Sequence, residues 1–176
     1  EKNIERCLTS VSWADEVIMI DTGSTDDTVN IAKKFTSVKL FHSEWLGYAA
    51  TKKLALTYTK NNWIFWIDAD EAVTPRLQKE ITTLNLNSTD FFSYDLPRKT
   101  YFMGEWVKHC GWYPGRVKRL FNKSKCTFNN NILHEGIDCD EAKTGSLTGD
   151  LEHYSYTSIY QYFSKMVSYG REGALS

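Results

Sequence analysis

Trp63-Ile-Phe-Trp-Ile-Asp68-Ala-Asp70-Glu71 is the stretch on which the fold turns. Its five leading residues are apolar and the chain on either side is polar, so Trp63–Ile67 reads as a short buried strand rather than a helix. That strand runs straight into three acids within four residues. Upstream, Gly47–Tyr58 carries Ala50, Leu54 and Tyr58 at four-residue spacing and reads as a helix. Val38–His42 reads as a strand, Thr28–Phe35 as a helix and Glu16–Ile20 as a strand. Downstream, Pro75 opens a helix over Pro75–Leu84, the position where its missing N–H is harmless. Strands alternating with helices of about ten residues specify βαβ units and an α/β fold, with a mostly parallel sheet flanked by helices.

The two ends differ from this pattern. Ile4, Cys7, Leu8 and Val11 recur at helical spacing, so the chain opens in a helix, and a strand is expected to belong ahead of it. After residue 90, Phe91–Leu96, Val117–Phe121 and Thr127–Phe128 read as strands of a smaller mixed or antiparallel region, and Thr157–Gly170 as a closing helix with Ile159, Phe163 and Met166 on one stripe. The economical organisation is one domain over 1–176. Its two halves are 1–90 and 91–176.

Composition narrows the class. The 176 residues carry 21 Lys+Arg against 22 Asp+Glu, a net charge of −1, which argues against a general nucleic-acid binder. Hydrophobic residues at 41% and charged residues at 24% are ordinary globular usage, while aromatics at 14% are the outlier. Cys7, Cys110, Cys126 and Cys139 have no metal-binding spacing and read as buried thiols in a reducing compartment. No apolar run approaches the roughly 20 residues that span a bilayer, and no signal-peptide pattern is present. The expected location is therefore cytoplasmic, with peripheral contact at the inner face of the cytoplasmic membrane.

Two motifs carry the chemistry. Asp21-Thr-Gly-Ser-Thr-Asp-Asp-Thr28 follows a strand and opens a helix, with Ser24 and Asp27 at capping-box spacing. Capping does not account for Asp21, a carboxylate at the carboxyl end of a core strand, where open α/β sheets bind ligands. It either accepts hydrogen bonds from a base or ribose or forms the turn. In the second motif, Asp68, Asp70 and Glu71 repel one another, and a hard Mg²⁺ or Mn²⁺ ion would relieve that conflict. The competing reading is a solvated acidic turn with Glu71 capping the next helix. Aspartyl phosphatases also place DxD after a strand, but their fifth motif residue is Thr or Val and here it is Ala72.

This ordered set resembles glycosyltransferase family 2 with its GT-A fold, within it the lipopolysaccharide-core β-1,4-glucosyltransferase-like branch. The branch resemblance rests on Ser12-Trp-Ala-Asp-Glu16, Asp68-Ala-Asp-Glu71, Leu96-Pro-Arg98, Gly111-Trp-Tyr-Pro114, Arg119-Leu-Phe121 and His134-Glu135. Members begin with a strand of the V-I-I-T-Y-N-E kind, of which Glu1-Lys-Asn-Ile looks like the tail. The resemblance implies an inverting, metal-dependent transfer from a nucleotide-diphosphate sugar, with UDP-glucose as the first guess, 1–90 as the nucleotide-sugar-binding half and 91–176 as the acceptor-binding half. The acceptor would belong to lipopolysaccharide, capsule or another cell-envelope glycan. It further implies that Asp21 contacts the nucleotide and that Asp68 and Asp70 hold the metal and the ribose or phosphate. Glu135 would be the general base, with Asp95 a rival carboxylate. His134 would orient the base or touch the acceptor or a phosphate, and His153 would reach the metal or diphosphate.

Arg98–Lys125 carries eight basic residues interleaved with Tyr101, Phe102, Trp106, Trp112 and Tyr113. Single-stranded nucleic acid is one ligand for such a pattern. An anionic saccharide or lipid-linked acceptor fits better, with Trp112, Tyr113 and Arg98 holding it and Arg116 and Arg119 on the donor phosphate. Aromatic and basic residues together also suit a membrane interface. The competing functions are a non-catalytic nucleotide-sugar or glycan-binding relative and a sugar nucleotidyltransferase.

Overall fold

The computed structural model describes residues 1–129 and 136–173. In chain order these residues form α1 (Ile4–Ser10), β1 (Val17–Asp21), α2 (Thr28–Ala32), β2 (Val38–His42) and α3 (Tyr48–Tyr58). Next come β3 (Trp63–Phe65), β4 (Glu71–Val73), α4 (Pro75–Thr83), β5 (Ser93–Phe102), β6 (Glu105–Trp106) and β7 (Gly115–Asn122). The chain continues with β8 (Thr127–Phe128), β9 (Ile137–Asp138), a 3-10 turn (Glu141–Lys143), β10 (Thr144–Ser146), β11 (Leu151–Tyr156) and α5 (Ile159–Gly173).

The α/β architecture is as read, but the strand pairing is mixed rather than mostly parallel. β1–α2–β2 is a parallel βαβ unit in full register from Val17↔Val38 to Asp21↔His42. β3 then leaves that series and pairs antiparallel with β7, and β4 pairs antiparallel with β11. Among the described residues the larger sheet has seven strands in the path β3-β7-β5-β11-β4, with β10 and β6 also on β5. A strand of three residues carries no record of its partner some fifty residues away, so local periodicity finds β3 without its orientation.

β5 is longer than Phe91–Leu96 because it runs through Pro97. Proline normally stays out of central strands because it has no N–H to give the ladder. On one edge β5 pairs with β10 through Asp95↔Ser146, and with β11 only from Arg98↔Leu151. Pro97 falls between these two partners, so its missing N–H removes no bond on that edge.

The main core joins α4 to the sheet through Leu77 and Ile81, four residues apart on one helix face, against Tyr94, Leu96, Leu120 and Leu151. Thr74 caps α4 by accepting the Leu77 N–H, and Pro75 stands in its first turn, as read. A second cluster packs Ile4 and Leu8 of α1 on Ala32, with Met19 and Val38 alongside. The α5 stripe of Ile159, Phe163 and Met166 is exposed, while Tyr162 packs edge-on against Phe102 and Tyr156. No described helix is long and apolar enough to cross a membrane.

The cysteines depart from the four-thiol reading. Cys126 and Cys139, which flank β8 and β9, form a disulfide, and Cys110 is exposed; Cys7 is the buried free thiol. Pairing across 13 residues is set by the β8–β9 hairpin and has no signature in spacing.

Gly149 fixes the approach of α4 to the turn before β11. The Glu80 carboxylate accepts the N–H groups of Thr148 and Gly149 at 2.8 and 2.9 Å, drawing the turn onto the helix. A Cβ on residue 149 would lie 2.4 Å from Leu77 Cα, a contact that backbone must move to relieve. Gly149→Ala is expected to destabilise the protein by about 2–3 kcal/mol through overpacking, seen as a lower urea midpoint at unchanged m-value.

Candidate active site

The Asp68–Glu71 segment is a tight turn closed on itself. Glu71 N–H donates to the Asp68 carbonyl at 2.9 Å, and Asp68 N–H donates back to Glu71 Oε2 at 3.1 Å. Glu71 is therefore neither an exposed metal ligand nor a helix cap: it is 1% exposed and locks the turn from below. Its counter-charge is Arg119 of β7, 2% exposed, whose Nη2 donates to Glu71 Oε1 at 2.5 Å and to Asp68 Oδ2 at 3.1 Å. The guanidinium lies 3.4 Å from the Trp66 ring centre, and Lys52 Nζ of α3 lies 3.9 Å from the same ring. Lys52 also pairs with Asp68 Oδ1 at 3.2 Å. Arg119, expected on the donor phosphate, is thus buried beneath the acidic turn and can act on a ligand only through the carboxylates it holds.

Burial penalises charge throughout this group, but for Asp68 Arg119 and Lys52 outweigh it and hold the carboxyl below its ordinary range. Burial pushes Glu71 up, with Arg119 pulling against it. Cys7 of α1 donates its thiol to the Asp68 carbonyl, and burial beside the three acids pushes its pKa up to about 12. That thiol is a structural contact and no nucleophile.

Asp70 is set apart by its partner rather than by exposure: its side chain is 29% exposed against 40% for Asp68, and it meets His153, whose Nε2 lies 3.5 Å from Oδ2. His153 sits on β11 directly across from Glu71, and the next residue, Tyr154, donates its backbone N–H to the Asp70 carbonyl at 2.8 Å. Asp70 lines a cavity of about 600 Å³ whose other walls include Asn3, Asp26, Thr28, Thr157 and Gln161. Both motifs therefore reach one cavity, the first through Asp26 and Thr28 and the second through Asp70.

Asp21 holds its own loop. It is 6% exposed and accepts the N–H groups of Gly23 and Ser24 at 3.3 and 3.2 Å; His42 Nδ1 lies 3.2 Å away on the paired strand. Burial would raise its pKa, but these hydrogen bonds outweigh burial and keep it low. The turn-forming reading of Asp21 is thus realised. The expected capping box is not: Asp27 stands at the N-cap of α2 without a side-chain cap bond. Gly23 takes φ +105°, a conformation that favours glycine.

The basic stretch divides. Arg116 donates to Asp95 Oδ1 at 2.7 Å and to the Leu147 carbonyl at 2.8 Å, tying β7 to β5 and to the chain after β10, so its guanidinium is occupied away from the acidic turn. Asp95, the rival base, is held low by that bond and by Ser146. Tyr113 donates its hydroxyl to Asp150 Oδ1 at 3.0 Å, and Trp112 and Arg98 are half-buried. His134 and Glu135 lie outside the described residues. Lys52 was missed by sequence reasoning, and nothing in its local pattern ties it to an acid sixteen positions on.

Among the described residues no group of three His, Cys, Asp or Glu side chains converges to cage a metal. A Mg²⁺ or Mn²⁺ ion needs no such cage where substrate phosphates complete its shell, and one or two carboxylates suffice. Asp70, which lines the cavity, fits that role; Asp68 is already paired with two cations.

A family model described as glycosyl transferase family 2 matches residues 1–137. An uncharacterized glycosyltransferase of Rickettsia typhi is 35% identical over 185 residues, covering 99% of this chain and 63% of that protein. The lipopolysaccharide core biosynthesis glycosyltransferase LpsC of Rhizobium meliloti is 27% identical over 164 residues, covering 88% of this chain and 59% of that one. The crystal structure of S. aureus TarS 1-349 superposes with a TM-score of 0.59 at 14% identity, over 87% of this chain and 57% of TarS, and so shares the fold, described above as GT-A. The chain spans under two thirds of the length of these relatives.

Replacing Arg119 by Met leaves Glu71 buried without a counter-charge, at an expected cost of about 3–5 kcal/mol. Adding Glu71→Leu to Arg119→Met is expected to recover most of that loss. Urea denaturation of the single and double variants measures the coupling.

Proposed function

The chain belongs to glycosyl transferase family 2, and we propose that it transfers a sugar from a nucleotide-diphosphate sugar, UDP-glucose being the first candidate, to a saccharide acceptor of the cell envelope with inversion at the anomeric carbon. The observation that carries the reading is the common cavity, where Asp70 of the acidic turn meets Asp26 and Thr28 of the first motif. The name of LpsC supports a lipopolysaccharide-type acceptor.

In this reading Asp70, with His153 beside it, would hold a divalent ion, and Arg119 and Lys52 fix the turn that presents Asp70. A bound Mg²⁺ or Mn²⁺ supplies Lewis-acid stabilisation of the charge that grows on the departing nucleoside diphosphate. The acceptor hydroxyl forms the new bond to the anomeric carbon as the bond to the diphosphate oxygen breaks. Its proton goes to a carboxylate, and Glu135 is the residue proposed for that role.

Calorimetry with UDP-glucose and Mn²⁺ tests the donor half. Asp70→Ala is expected to weaken binding about tenfold or more, as for loss of one charged contact of 1.4 kcal/mol. No heat with either metal in the wild-type protein would remove the reading. Glu135→Gln is expected to bind donor normally and to lose transfer by roughly 10²–10⁴-fold, the range for a general base. Unchanged transfer in Glu135→Gln would take Glu135 out of the base role.

A further inference from the structure

Side chains alternate across a strand, so β11 presents two faces. His153 lies on the face of the acidic turn; Glu152 and Tyr154 lie on the other. There the Tyr101 hydroxyl donates to Glu152 Oε1 at 3.0 Å and the Tyr154 hydroxyl to Oε2 at 2.8 Å, and the two rings stack 4.9 Å apart. The Arg6 guanidinium lies 3.5 Å over Tyr154. Lys99 Nζ is 3.8 Å from Glu152 and 4.6 Å from the Trp106 ring centre; Lys108 Nζ is 4.7 Å from that same centre. Trp106 meets Tyr113 edge-on, and Tyr113 leads to Asp150.

Two features of this cluster are unexplained by folding. Two ammonium groups are gathered on one indole although like charges repel, and Lys108 is exposed beside that ring. The Trp106 Nε1 atom is buried and has no hydrogen-bond acceptor. Aromatic faces, tyrosine-linked carboxylates and a surplus cation together suit a sugar that carries a negative group: the rings pack on its C–H face, Glu152 and Asp150 take its hydroxyls, and the lysines take its charge.

We propose that Lys99, Trp106, Lys108 and Tyr113 form an acceptor subsite selective for a saccharide bearing a carboxylate or phosphate. This deepens the transferase reading and rests on it for the word acceptor. The subsite is placed for that use, because Tyr154, next to Glu152, is hydrogen-bonded to the Asp70 backbone, and Thr157, just beyond β11, lines the donor cavity.

Saturation-transfer NMR on the full chain, with glucuronate, glucose 6-phosphate and glucose as probes, tests the proposal. One or both charged probes are expected to bind at least about fivefold better than glucose, the effect of roughly one solvent-screened ion pair, and their comparison tells carboxylate from phosphate. Lys108→Met, at an exposed position, is expected to abolish the preference, and Lys108→Arg to restore it. Equal binding of glucose and both charged probes, or a preference unchanged in Lys108→Met, overturns the subsite. UDP is titrated in parallel on the wild-type protein. Absence of UDP binding with a preserved charged-sugar preference counts against the transferase reading and leaves the subsite standing.

Discussion

One buried cation organises the catalytic side of the molecule. Arg119 rises from the middle of β7 into the floor of the Asp68–Glu71 turn and binds two of its three carboxylates. Without it, acids packed this closely at the end of an apolar strand would repel one another in a medium that screens charge poorly. Its ion pairs also tie β7 to the β3–β4 turn, so the second half of the chain holds the carboxylates of the first. Arg119 and Lys52 both pair with Asp68, burial removes Glu71 from solvent, and Asp70 lines the cavity.

β11 divides the labour of that site by alternation. His153 faces the acids, while Glu152 and Tyr154, one step to either side, face the aromatic and basic cluster. A single strand wedged between β4 and β5 therefore joins the acidic turn on one face to the aromatic and basic cluster on the other. The same placement explains why residues near the end of the chain contribute to a cavity built mostly from its beginning.

Much of this was legible in the order of residues. The β1–α2–β2 unit, α4 with Thr74 and Pro75 at its start, and the Asp-Ala-Asp-Glu turn each follow from local periodicity and stop signals. Reading went astray where a residue's role depends on a partner far along the chain. Arg116 and Arg119 were both expected on the donor phosphate, yet one staples β5 and the other is buried under the turn. Cys126 and Cys139 looked like isolated thiols until the β8–β9 hairpin set them side by side. Lys52 had no signal at all, because a helix face does not announce which acid it will meet.

The sequence by itself determined the helices and the strands β1 to β3, β7, β8 and the start of β5, but not β4, β6, β9, β10 or β11; it also determined that acids close the strand after Trp63 and that aromatic and basic residues crowd the second half. Those properties reside in neighbouring residues and in the 2.0 and 3.6 periods of strand and helix. Only the tertiary structure decided which carboxylate lines the cavity, which arginine is buried beneath the turn, and which lysines converge on Trp106. Those outcomes depend on strand pairing and burial, and electrostatic energy there changes with distance and depth rather than with position along the chain.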